Sequence, residues 1–157
     1  MSCRSFKKRR EGLAMKLSTK SRYALEALVY MSVSPEGTPI TIKQISEKTG
    51  ISEGYLEQIF FALRKKGLLK TIRGKSGGFL LGSDAQDITA GMVVRAIEGS
   101  LVPVACVSDL SACESPVRDQ CVTRWLWVTM SDEINAILDS LTLYDLGTAF
   151  VKGGDTA

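Results

Sequence analysis

From Ser18 onward, apolar positions recur at three- and four-residue steps, with Tyr23, Ala24, Ala27, Leu28 and Met31 on one side of a helix. The stretch SPEGTP, with its Pro, Gly and Pro, ends it. Thr41 and Gln44 form a capping-box pair and predict a short helix over Ile42–Thr49, which Gly50 stops. Ser52 is placed to cap the next helix, whose buried face is Leu56, Ile59, Phe60 and Leu63 and whose left-handed stop is Gly67. Two short helices with Gly50 between them make a helix-turn-helix signature. The apolar runs LLKTI and GFLLG, separated by the Gly- and cation-rich RGKSG, predict a β-hairpin. A hairpin directly after a recognition helix is a wing. Residues 88–98, ITAGMVVRAIE, predict another short helix with Met92, Val93, Ala96 and Ile97 inward and Gly99 at its end.

The pattern then lapses through a cysteine-bearing loop and resumes at Trp127, Met130, Ile134, Ile137 and Leu141, with Leu126 and Leu138 alongside. A long amphipathic helix with no later partner helix in the chain needs something to cover its stripe. The economical cover is a second copy, because a two-fold dimer sets two helix-turn-helix units on successive major grooves. The expected fold is mainly α with a small β-hairpin wing: a winged helix-turn-helix domain plus a long C-terminal dimerisation helix. The expected organisation is a flexible basic arm over 1–14, the DNA-binding domain over 15–83 and a linking helix and connection over 84–103. The cysteine loop follows over 104–123, the dimerisation helix and end segment over 124–146, and a tail over 147–157.

Composition adds two things. At 157 residues, 45% hydrophobic and 24% charged, the chain suits one globular domain with an appendage. No apolar run approaches the roughly 18 residues of a membrane span, and the basic arm is followed by no apolar leader segment. A cytoplasmic protein with no membrane partner is expected. The net charge of +3 conceals a split of +4 over residues 1–14, +6 over 15–82 and −7 over 83–157. A basic front and an acidic back point to a polyanion facing the front half.

Double-stranded DNA is the polyanion that the motif implies. On the exposed side of the recognition helix, Glu57 and Gln58 suit base edges, since a carboxylate accepts from the cytosine amino group and an amide pairs with adenine. Glu53 and Tyr55 share that side, Arg64, Lys65 and Lys66 suit phosphates, and Arg73 and Lys75 at the wing tip suit the minor groove. The chain has no nucleophile motif and no phosphate-binding Gly loop, so no enzyme is expected.

Cys106, Cys113 and Cys121 fall within sixteen residues, and the chain has no histidine. In a reducing compartment such a cluster suggests metal or redox chemistry rather than a disulfide framework. Three thiolates are one short of the four that zinc or an iron-sulfur centre usually takes. Cys3, in the arm, is set aside.

The segments KLSTKSRYALEAL, GISEGYLEQIFFALRKKGL and IRGKSGGFLLG, followed by three cysteines and an LW helix, resemble the Rrf-two family of winged helix-turn-helix repressors. The likeness runs from about residue 15 to 146 and is strongest to the iron-sulfur cluster regulator (IscR) branch. The resemblance implies a cytoplasmic homodimer on a partly palindromic operator. It implies that Ser52, Tyr55, Glu57 and Gln58 face the groove, and that Arg73 is the minor-groove arginine. Gly54 departs from the branch, which has a polar residue there. The resemblance also implies that Cys106, Cys113 and Cys121 hold an iron-sulfur cluster, 2Fe-2S or 4Fe-4S, that senses iron, oxygen or nitric oxide and is open to loss in air. Where that branch has its histidine ligand, this chain has Arg124, which cannot ligate iron. Other branches draw a ligand from the partner's first helix, at positions that are Arg22 and Glu26 here. Glu26 is therefore a candidate fourth ligand, alongside Asp109, Glu114, Asp119, a small thiol or water. The alternatives are a regulator of the same fold acting through thiol redox or a protein partner, and a structural zinc protein.

Overall fold

The computed structural model describes residues 17–113 and 120–154; the arm, with Cys3, and the loop candidates Glu114 and Asp119 lie outside them. Ser18 has an extended backbone, and its hydroxyl accepts from the Ser21 N–H to open α1 (Thr19–Ser32). The α1 stripe of Ala24, Ala27, Leu28 and Met31 is buried as its spacing requires. Helix α2 (Ile42–Thr49) has the full capping box: Gln44 N–H donates to the Thr41 hydroxyl (3.2 Å) and Thr41 N–H to the Gln44 side chain (2.8 Å).

Helix α3 (Glu53–Lys65) buries Leu56, Ile59, Phe60 and Leu63. Gly50 before it and Gly67 after it are both left-handed (φ 73° and 78°). At Gly67, Leu68 N–H returns to Leu63 O and Gly67 N–H to Arg64 O, both at 3.0 Å, the two bonds of a Schellman stop. One detail differs from expectation. Ser52 occupies the N-cap position with an extended backbone, yet its hydroxyl makes no cap bond.

The wing is an antiparallel pair, β1 (Leu69–Ile72) and β2 (Gly78–Leu81), in register from Leu69 opposite Leu81 to Ile72 opposite Gly78. Ile40 exchanges both main-chain bonds with Phe79 (3.0 and 2.8 Å). The Phe79 ring meets Phe60 edge-on at 4.9 Å. The wing is thereby tied to both the approach to α2 and the recognition helix.

Helix α4 (Ala90–Glu98) is capped by Thr89, whose hydroxyl accepts from Met92 N–H. Its buried residues are Ala90, Gly91, Val93 and Val94. Met92, expected inward, is 40% exposed; the stripe that faces the core starts at Ala90 and steps by three and four to Val93 and Val94. At the far end of α4, the Glu98 carboxylate accepts from Ser18 N–H (2.9 Å), the Ser18 hydroxyl (2.6 Å) and the Ser21 hydroxyl. Burial works to raise the Glu98 pKa, but these bonds outweigh it and hold the carboxyl below its usual value.

A single helical turn, α5 (Ala105–Ser108), and a 3-10 turn over Leu110–Ala112 lead towards α6 (Arg124–Ser140). Helix α6 lies against α4, where Arg95 donates to Asn135 (2.9 Å) and to Asp139 and where Ser131 is buried. The expected stripe therefore divides. Trp127, Met130, Ile134 and Leu138 are half-buried, while Leu126, Ile137 and Leu141 stay exposed.

The chain does have a later helix, contrary to expectation. Helix α7 (Leu143–Gly154) runs through most of the stretch read as a tail and packs on α1. Thr142 and Asp145 form its capping pair, each backbone N–H donating to the other's side chain (3.0 and 3.1 Å). The capping box was present in the sequence as T-x-x-D but was masked by the long stripe before it. No helix of the described residues is long and apolar enough to cross a membrane.

Leu143 is fully buried among the core residues of the helix-turn-helix unit. Leu143→Ala should lower unfolding free energy by about 2–5 kcal/mol, read as a lowered urea midpoint. An unchanged midpoint would show that α7 is not docked on the domain.

Candidate nucleic-acid interface and cysteine loop

Helix α3 separates cleanly into two sides. Against its buried residues, Ser52, Glu53, Gly54, Glu57, Gln58, Phe61, Arg64 and Lys65 are exposed. Tyr55 differs from the other expected groove residues. It is half-buried, and its ring meets Tyr23 of α1 edge-on at 5.7 Å, with the Arg22 guanidinium over the Tyr23 ring at 4.9 Å. Tyr55 thus joins the start of the recognition helix to α1.

Among the described residues, the ion pairs are Arg22–Glu26 and Arg95–Asp139. Neither is on α3. Among the described residues, the charges of Glu53, Glu57, Arg64, Lys65 and Lys66 thus have no ion-pair partner, as they would have on a salt-bridged solvent face. Arg73 and Lys75 are exposed on the turn of the wing, closed by Gly77 N–H to Gly74 O (3.0 Å). Lys70, exposed on β1, extends the same basic surface and was not singled out in the sequence. Phe61 was also missed. It follows Glu57 by four residues and Gln58 by three, a spacing that marks it as a neighbour of both.

The three loop cysteines are free thiols, each half-buried: Cys106 within α5, Cys113 after the 3-10 turn and Cys121 before α6. Among the described residues, no three Cys, Asp or Glu side chains gather as a metal site would require. As donors, three free thiols on one connected stretch suit an iron-sulfur centre. Their placement does not yet converge, so binding would have to draw the loop together.

The candidate fourth ligands differ in what already occupies them. The Asp109 carboxylate accepts from Ser111 N–H (2.9 Å) and the Ser111 hydroxyl (2.6 Å), which hold its pKa below the usual value. Glu26 sits on α1 in an exposed ion pair with Arg22 at 3.6 Å. Arg124 has a buried Nε without a hydrogen-bond partner. Cys121 Sγ lies 3.3 Å from the Thr123 hydroxyl. That hydroxyl, then the Thr123 backbone and the Arg124 charge, hold the Cys121 thiol below its ordinary pKa.

Comparison with known proteins decides the family. The chain matches Rrf2, described as iron-dependent transcriptional regulator, over residues 17–149. The chain belongs to the Rrf2 family. It is similar to the HTH-type transcriptional regulator IscR of Escherichia coli, 39% identical over 132 residues that make up 84% of this chain and 80% of that protein. Among solved structures, it resembles CymR (YrzC), the global cysteine regulator of B. subtilis, with TM-score 0.71 and 38% identity over 86% of this chain and 98% of that one. It also resembles T. potens IscR, with TM-score 0.66 and 35% identity over 84% and 85% of the two chains. The winged-helix architecture is shared with these Rrf2 regulators, and the chain is a DNA-binding transcriptional regulator of their type.

Thr123→Val removes the hydroxyl that lowers the Cys121 thiol, so less thiolate is present at neutral pH. Iodoacetamide labelling of Cys121 at pH 7 should slow, since the thiolate is the species that reacts, with Cys106 as the reference by peptide mass spectrometry. Equal rates in the two proteins would remove Thr123 from this role.

Proposed function

We propose that this chain works as a homodimeric, sequence-specific repressor in the cytoplasm, whose cysteine loop holds an iron-sulfur cluster that reports iron, oxygen or nitric oxide. The observation that carries the DNA-reading half is the face of α3, whose charged side chains have no ion-pair partners among the described residues and lie beside a basic wing. In this reading Glu57 and Gln58 contact base edges, while Ser52 and Glu53 border them at the helix N-terminus. Tyr55 orients that end, Arg64 holds phosphate, and Arg73 and Lys75 enter the minor groove.

Dimerisation is supported by the uncovered side of α6, where Trp125 is 75% and Ile137 59% exposed, alongside Leu126 and Leu141. A second copy laid on that side would bury these residues and set two recognition helices one turn of DNA apart. Cys106, Cys113 and Cys121 would hold the cluster, which supplies redox and ligand-exchange chemistry when bound. Glu26 of the other copy is the preferred fourth ligand.

A second reading has a specific observation behind it. The described cysteines do not converge, and Cys121 is held towards thiolate; both suit a regulator of the same fold that responds through thiol oxidation without a cluster.

One pair of measurements separates these readings. Arg73→Ala removes a wing cation and no core contact, so it should weaken operator binding by about 1–3 kcal/mol at unchanged dimer mass. Equal affinity at physiological salt would take the wing out of DNA reading. After anaerobic reconstitution, wild type should absorb in the visible and Cys106→Ser should not, whereas Cys3→Ser should leave the colour intact. A colourless, metal-free wild type that still binds operator and releases it on mild oxidation would establish the thiol reading instead.

A further inference from the structure

Phe61 is 64% exposed on a helix whose neighbouring Phe60 is buried. Singly exposed apolar residues are common and usually mean nothing. Phe61 differs in its address. At 100° per residue it falls between Glu57 and Gln58 on the exposed side of α3, about 4.5–6 Å further along the axis. Its other neighbours on that side are Arg64 and Lys65, and the Arg64 guanidinium lies over its ring, 5.9 Å from the centroid, at the outer edge of cation–π contact. A phenyl ring thus stands at the centre of a charged face, backed by cations suited to phosphate.

Towards the helix N-terminus this face has a gap beside Glu53. Gly54 has no heavy atom within 4 Å of where a Cβ would sit, so the first turn offers the groove no side chain there. The last apolar reader on the face is Phe61. It has no hydrogen-bonding group, so it cannot distinguish bases by donors and acceptors. In the major groove, the apolar feature that bases present is the thymine C5 methyl group. A cytosine or purine edge in the same place would lose water to the ring and receive no hydrogen bond in return.

We infer that Phe61 is a specificity-determining residue that selects a thymine by packing on its C5 methyl, next to the bases contacted by Glu57 and Gln58. The inference rests on the proposed operator reading and deepens it. Arg64, over the ring at 5.9 Å, backs it with a cation suited to the adjacent phosphate.

The test selects DNA from a random double-stranded library with the full-length wild type, Phe61→Leu and Phe61→Ser proteins. It then replaces each thymine of the wild-type winner, one at a time, by deoxyuridine, which lacks only the methyl group. One thymine per half-site should be enriched by wild type and Phe61→Leu and lost by Phe61→Ser. Deoxyuridine at that position should weaken wild type about fourfold, the worth of one buried methyl, and leave Phe61→Ser unaffected. Phe61 is exposed, so the Ser variant should fold; matched thermal melts check this. The inference is overturned if Phe61→Ser keeps the same thymine preference and deoxyuridine sensitivity. It is equally overturned if no wild-type thymine responds to loss of its methyl, or if Phe61→Ser changes subunit mass with DNA preference intact, which would assign the ring to a protein interface. If wild type enriches no sequence at all, the operator reading itself fails, and this result is distinct from the others.

Discussion

Two main-chain hydrogen bonds hold the two halves of this protein together. Ala90 N–H donates to Leu141 O (2.8 Å) and Leu143 N–H to Ile88 O (2.9 Å), so the chain leaving α6 and entering α7 is pinned to the start of α4. The junction of the two C-terminal helices is placed by that exchange. Helix α6 then lies along α4 under the Arg95 clamp on Asn135 and Asp139, and α7 is delivered to α1 with Leu143 in the core. Because α4 also packs on α1 and α3, the orientation of α6 is defined relative to the recognition helix through one intervening element. Glu98 closes the other end of α4 on the first turn of α1.

The charge split acquires a structural meaning on this frame. Among the described residues, Arg64, Lys65, Lys66, Lys70, Arg73 and Lys75 of the front half are exposed along α3, just after it and on the wing, whereas Asp132, Glu133 and Asp139 of the back half are exposed on α6. An acid on a DNA-facing helix is costly in the phosphate field, and among the described residues no cation pairs with Glu57 to offset it. Such a cost is tolerable where the carboxylate returns discrimination between bases.

Legibility followed the range of the interactions. The capping box at Thr41, the left-handed stops at Gly50 and Gly67 and the three-four stripes of α1 and α3 are local signals, and each produced the element it predicts. What failed depends on contacts distant in sequence. Met92 faces outward because α4 must present Ala90, Val93 and Val94 to its neighbours. The stripe of α6 divides because α4 covers only one side of it. Helix α7 is missed by the pattern because a stretch with three glycines, Gly147, Gly153 and Gly154, reads as a tail until its docking on α1 is seen. In the candidate site, α3 and the wing were readable since their face is the complement of a buried stripe. The geometry of the cysteines was not readable, because nothing in loop spacing says whether three thiols converge.

The fourth ligand is where energetics can be set against chemistry. A carboxylate that joins a cluster must first abandon its present partners. Asp109 would give up two hydrogen bonds to Ser111, one of them the cap of the 3-10 turn that places Cys113, and caps are worth about 1 kcal/mol each. Glu26 would give up an exposed ion pair with Arg22, a class of contact worth roughly 0–1 kcal/mol. It would leave the fold of its own helix untouched, since Arg22 retains the Tyr23 ring. Arg124, next to Cys121, puts a cation beside the loop thiols and so favours an anionic visitor. A carboxylate arriving from a second copy would meet that charge and complete the ligand set at once, so dimerisation and ligation would reinforce each other.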